Sequence, residues 1–240
     1  MNKRFGVSVF IHEGEAWTTF GFERDVYLGE PSNLVRILNE LACDEIVISA
    51  INTDDAVLQT ISDQASMPLA IGGQINSVKR AVQLSSMGFE KISVSSSFLD
   101  RPAIVGEICG ELGRASTMVT LAVSMIDGDY YLWNWRNKHA TPLKLGHVLE
   151  QMDYDSIGEL CIRDVGRNGA LSGPDLDLAR HIRSSARGNL IFEGGIRAPE
   201  DVSKLWELGI DSVLGASSVS LYGRYRASLL DYAKPKSGLN

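Results

Sequence analysis

The chain lacks long hydrophobic runs: polar residues break every apolar stretch well short of membrane-spanning length. Its first residues, Met1 to Ile11, hold Lys3, Arg4 and a short apolar run that His12 and Glu13 interrupt. That is too short for a signal peptide, so a cytoplasmic protein with no membrane partner is expected. Cysteine is scarce. Cys43, Cys109 and Cys161 sit in apolar or helical stretches, which predicts buried, reduced thiols. No Cys and His spacing suits a metal, so no metal site is expected. Lysine–arginine runs are missing too, and the net charge of −7 makes nucleic acid a poor partner. Linkers and low-complexity segments are absent before a polar tail after Tyr232, so residues 1–240 read as one domain.

What is present is a regular alternation. Short β-branched runs occur at Phe5–Ile11, Glu45–Ile51, Pro68–Ile71, Lys91–Val94, Met118–Val123, Glu159–Ile162, Asn189–Phe192 and Ser212–Leu214. Helical patterns separate them, as in Pro31–Cys43, where Leu34, Ile37, Leu38 and Leu41 share a face. Such βα units predict a parallel sheet. Two connections are longer: His12–Leu28, and Met125–Thr141. In the second, Asp127-Gly128 followed by Tyr131, Trp133 and Trp135 at alternate positions predicts a hairpin.

The chain also repeats itself at an offset of 121 residues. Ile71-Gly72-Gly73-Gln74-Ile75 overlays Phe192-Glu193-Gly194-Gly195-Ile196, and the register continues ungapped: Gly88 falls on Gly209, Ile92 on Val213, Ser96-Ser97 on Ser217-Ser218. Two half-barrels of four βα units each explain this, and predict a closed (βα)8 TIM barrel. An open doubly wound sheet would not ordinarily carry that repeat.

Glycines at the C-terminal ends of the third and seventh runs (Gly72-Gly73 and Gly194-Gly195) let the backbone approach an anion. Ser95-Ser96 and Ala216-Ser217 follow the fourth and eighth, where a helix start can accept phosphate. Tight turns alone would also use glycine, but two symmetric pairs with hydroxyl partners favour phosphate. Two sites across one mouth fit a ligand with phosphate at both ends. The site after the third run is expected to be the weaker, because Gln74 crowds it.

These residues, together with Asp44-Glu45-Ile46-Val47, Arg167-Asn168-Gly169-Ala170-Leu171-Ser172-Gly173 and Gly215-Ala216-Ser217, resemble the cyclase subunit of imidazole glycerol phosphate synthase (HisF) and its sister isomerase in histidine biosynthesis. The resemblance runs from about Lys3 to Tyr232, and adds Gly169 to the phosphate loops. Phe22–Asp44 and Leu221–Tyr232 look most like a paralogous branch found in surface-polysaccharide gene sets. That branch is linked to sugar amidation, beside a glutaminase and an ATP-dependent amidotransferase.

The resemblance implies two catalytic aspartates, late in the first and fifth strands, but Phe10 and Ser124 stand there. Thr18 replaces the family lysine after the first strand, and Asn168 an acidic residue after the sixth. Phe and Asn cannot shuttle protons and Ser does so poorly without a base, so ordinary cyclase turnover is not expected and the catalytic residues are left unknown. Asp127 and Asp129 are better explained by the hairpin tip. The family's salt-bridged gate for ammonia is matched by Arg4, Glu45, Lys91 and Glu159, all at strand starts, though charges there are commonly solvated or a structural plug. Glu90 matches an acidic residue of the family's glutaminase-facing surface. The implied partners are a HisH-like glutaminase, an ATP-dependent sugar amidotransferase and a phosphorylated small molecule; no cofactor is implied. The alternative is a phosphosugar cyclase or lyase that uses Arg163, Asp164 or Glu193 instead.

Overall fold

A computed structural model describes residues 3–21, 24–41 and 43–220. The polar tail after Tyr232, and the likenesses at Phe22 and Leu221–Tyr232, lie outside the described residues. In chain order, β1 (Arg4–His12) precedes an antiparallel pair, β2 (Glu15–Phe20) and β3 (Arg24–Gly29), and then α1 (Pro31–Leu41). Next come β4 (Glu45–Ile51), α2 (Asp55–Gln64), β5 (Leu69–Gly72), α3 (Val78–Ser86), β6 (Lys91–Val94), α4 (Ser96–Asp100) and α5 (Ile104–Leu112). β7 (Thr117–Ile126) opens the hairpin β8 (Asp129–Asn134) and β9 (His139–Lys144), followed by α6 (Leu145–Gln151). The chain continues as β10 (Glu159–Asp164), α7 (Leu176–Ser185), β11 (Asn189–Glu193), α8 (Pro199–Glu207), β12 (Ser212–Gly215) and α9 (Ser217–Ser220).

Eight of these strands form one closed circle, β1-β4-β5-β6-β7-β10-β11-β12, with β12 paired back to β1. Every pairing in the circle is parallel. The chain is a (βα)8 TIM barrel. The repeat is visible to the residue: α3 and α8, and β6 and β12, have the same bounds after the offset seen in the sequence.

Period-two alternation sends one face of each strand to the helices and the other into the lumen. The outer face is a continuous apolar shell, with Ile46, Ile92, Ile162 and Phe192 fully buried against the helices. The lumen has its own small cluster of Val47, Ala70, Met118, Cys161, Ile191 and Leu214. Covered on both sides, β10 is buried at all six positions, although three of its residues, Glu159, Arg163 and Asp164, are charged. Ser77 caps α3 by accepting from the Arg80 N–H, Asp175 caps α7 through two N–H groups, and Pro199 starts α8.

The longer connection His12–Leu28 holds the pair β2–β3, because β1 runs on past the barrel rim and folds back on itself. Two expectations need correction. The helix expected over Pro31–Cys43 does not include Cys43. Cys109 lies on the half-exposed side of α5, whereas Cys43 and Cys161 are buried. The Asp127-Gly128 turn has positive φ at both residues (50° and 84°), the geometry a two-residue hairpin turn requires.

Candidate functional site

At the N-terminal mouth, the first lumen-facing residues of β1, β4, β6 and β10 meet in one layer. Arg4 pairs with Glu159 through Nη2 and with Glu45 at 3.4 Å. Lys91 Nζ lies 2.6 Å from Glu159 and 3.4 Å from Glu45. The four thus form a closed ring of alternating sign. Ser212, the residue that overlays Lys91 in the repeat, donates to Glu45 Oε1 at 2.6 Å. Space for Glu45 exists because residue 6 is glycine: a Cβ there would stand 2.6 Å from Glu45 Cγ. Both carboxylates are buried, their side chains 3% and 7% exposed, while Arg4 at 28% reaches the opening. Such desolvation is tolerable because each charge has two opposite partners. Glu90 is exposed beside Lys91, in an open groove with Ser85, Phe89 and Ser116 on the same face.

At the C-terminal mouth the positions of the family aspartates hold no carboxylate. Phe10 is half-buried, stacks on His12, and pairs in register with Trp17. Ser124 pairs with Tyr131 of the hairpin. Asp127 is exposed at the turn, and Asp129 is tied to Lys144 at 2.6 Å.

The two glycine loops have diverged. In the C-terminal half, Gly194 (φ 130°) and Gly195 (φ 76°) line a pocket with Asn168, Gly169, Ala216 and Ser217. The β2–β3 excursion closes over it: Thr18 shares a hydrogen bond with Ser217 (2.9 Å), Thr19 donates to Asn168 (3.2 Å), and the Gly21 N–H donates to the Asn168 carbonyl (2.8 Å). Gly169 permits that approach, since a Cβ there would meet the Thr19 carbonyl at 2.0 Å. Among the described residues, the buried hydroxyl of Ser218 has no hydrogen-bond partner. In the N-terminal half, Gln74 takes the left-handed backbone (φ 53°) that belongs to Gly195 in the other. Its side chain exchanges two hydrogen bonds with Asn52, of 3.0 and 3.2 Å. That clasp lies beside Gly73, with Gly72 below and Ser95 and Ser96 across the rim. Of the expected helix starts, α4 is a single turn, so hydroxyl and N–H groups, not a helix dipole, are what the loop at Ser95 and Ser96 offers an anion, while Ser217 opens α9.

Near the C-terminal end lie the three charged groups of the alternative reading, Arg163, Asp164 and Glu193, whose partners the sequence did not indicate. Arg163 Nε donates to Glu193 Oε2 at 2.8 Å, and its Nη2 reaches Ser49 on β4 at 3.3 Å. Trp135 covers the guanidinium, 6.0 Å from its ring centroid. Burial works against the Arg163 charge, but Glu193 outweighs it and raises the pKa. Period two from Glu159 would have revealed the inward Arg163; nothing local could have revealed its partners on distant strands. Asp164, beside it, is pushed up to about 6 by burial and by Asp175, against the opposing pull of Arg167. Among the described residues no group of His, Cys, Asp and Glu is placed to hold a metal, and no helix is long and apolar enough to cross a membrane.

The relatives fit this layout. A Vibrio vulnificus protein provisionally named imidazole glycerol phosphate synthase subunit hisF3 is 27% identical over 229 residues, covering 90% of this chain and 87% of its own. The HisF subunit of a Thermotoga species is 23% identical, covering 99% and 96%. An imidazole-4-carboxamide isomerase of Methanococcus maripaludis is 26% identical over 69% of this chain and 68% of its own. Residues 4–225 match the family described as Histidine biosynthesis protein, and the chain belongs to that family.

Proposed function

We propose that this HisF-like barrel docks a HisH-like glutaminase on its N-terminal face and conducts ammonia through its lumen. The acceptor is a nucleotide sugar of surface-polysaccharide biosynthesis, handled with an ATP-dependent amidotransferase. The observation that carries this reading is a contrast between the ends: a complete charged ring below, and Phe10 and Ser124 where acid-base carboxylates would be needed above. A ring of two cations and two anions excludes ions and water while its flexible members can part for a small neutral molecule. Glu90 and its groove supply the partner surface. The loops at Gly72, Gly73, Ser95 and Ser96, and at Gly169, Gly194, Gly195, Ala216 and Ser217, are proposed to hold phosphate.

The test is reconstitution with a HisH-like glutaminase and an ATP-dependent sugar amidotransferase. Lys91→Met leaves two carboxylates against one guanidinium. It should change the glutamine-driven rate, or leak ammonia, while the rate with added ammonium salt stays near wild type. A folded Lys91→Met protein with both rates untouched would reduce the ring to a plug and sink the channel. A second reading, a cyclase or lyase using Arg163, Asp164 and Glu193, draws support from the raised Asp164, since a carboxyl titrating near neutrality suits proton transfer. Turnover of the ribulosyl precursor with ammonia, lost in Asp164→Asn, would favour it.

A further inference from the structure

The lumen is closed twice, and its upper closure is a single side chain. In the circle of eight strands, β10 and β4 are diametrically opposite. Arg163 starts on β10 and its Nη2 reaches Ser49 of β4 at 3.3 Å, so its side chain together with Ser49 bridges the bore. Glu193, on the neighbouring β11, fixes its middle, and Trp135 from the β8–β9 hairpin lies over it. Below this bar come the apolar lumen residues, including the inward Cys161, and then the charged ring at Arg4, Glu45, Lys91 and Glu159.

A buried ion pair is an expensive way to fill a barrel interior, which branched apolar side chains occupy more cheaply. Arg163 and Glu193 are 8% and 3% exposed, and stand one layer above just such a filling. A long, charged side chain differs from leucine in one useful respect: it can leave as a unit, because water and anions at the mouth can receive its head group. We infer that Arg163 is a movable crossbar, the gate at the C-terminal end of the lumen, and that it must swing toward the mouth before anything small can pass between Cys161 and the mouth. The use of the gate rests on the conduction reading above; its position and motion do not.

Cys161 is the natural reporter, because it lies directly between the two closures on the same face of β10 as Glu159 and Arg163. Burial raises its thiol pKa well above the ordinary range, so labelling from solution should be slow. The probe is methyl methanethiosulfonate, small and neutral. The cysteine thiolate displaces methanesulfinate and keeps the methylthio group as a mixed disulfide, which mass spectrometry assigns to each cysteine. Cys43, buried in the outer shell, reports general loosening, and half-exposed Cys109 reports free reagent.

Labelling of Cys161 should be slow in wild type and rise at least tenfold in Arg163→Ala/Glu193→Ala, which removes both charges and leaves neither unpaired. Trp135→Ala keeps the pair intact and should give a smaller rise, two- to fivefold. Cys43 should stay at its wild-type rate in both. Fast labelling of Cys161 in wild type, no rise in the double variant, or an equal rise at Cys43 would each overturn the crossbar. A protein that passes this test yet shows no effect of Lys91→Met on glutamine-driven transfer would have a gated lumen that carries no ammonia, so the two claims fail separately.

Discussion

At the N-terminal end of the lumen four charges share one layer, and each meets two opposite partners. At the C-terminal end one guanidinium meets one carboxylate, drier and under an indole. Losing one member of the ring leaves the other three with a remaining partner and with some access to water through Arg4. Losing one member of the upper pair strands its mate in the dry interior. Charge sharing makes the lower end tolerant; isolation makes the upper end brittle. A gate that opens often is better built the first way, and one that opens only when something at the mouth draws it out, the second.

Chemical denaturation breaks or sharpens this contrast most directly. Arg163→Met should cost about 3–5 kcal/mol, since it leaves Glu193 buried and unpaired. Lys91→Met should cost less, on the order of 1–3 kcal/mol, because Arg4 still reaches both carboxylates. If Lys91→Met proved the costlier, the difference in dryness between the two ends would not be what governs them.

The next effect is a pH dependence. Asp164 has a folded-state pKa of about 6, above the value of 3.8 it would have unfolded. The folded protein therefore binds this proton more tightly, and its contribution is full below the unfolded value and lost as pH rises through about 6. Asp164→Asn keeps the shape without the charge. It should stabilise the protein by about 2 kcal/mol at pH 8, with the gain fading toward pH 4. Thermal unfolding of both proteins across that range measures it; a constant difference at all pH values would refute the assignment.

Smallest is the contrast between the two glycine loops. Gln74→Gly relieves a left-handed backbone but removes the clasp on Asn52, so stability should change by less than about 1 kcal/mol. Its value lies in binding: inorganic phosphate should raise the melting temperature of the variant more than that of wild type. Equal shifts would mean that Gln74 does not obstruct this loop.

Much of this architecture was legible in the residues. The eight barrel strands fall on the eight β-branched runs, and the repeat at an offset of 121 residues implies two half-barrels. Charges at four strand starts necessarily share a layer when strands are in near-equal register, so the contact among Arg4, Glu45, Lys91 and Glu159 could be anticipated; what the ring does is a separate question. The β2–β3 pair escaped notice because Glu15–Phe20 is polar on one side and its partner lies beyond a break in the apolar pattern. Arg163 was seen as charged and near a strand end, but its contacts are set by the diameter of the closed barrel. No window of sequence contains that length.

The bar from Arg163 to Ser49 also has a mechanical meaning. Backbone hydrogen bonds fix a barrel's circumference, yet a hoop of fixed circumference can still flatten into an ellipse. A spoke across the diameter removes that freedom along one axis. While the bar is in place, β4 and β10 are braced against each other and the bore stays round; when it lifts, the softest deformation of the whole tube becomes available at once.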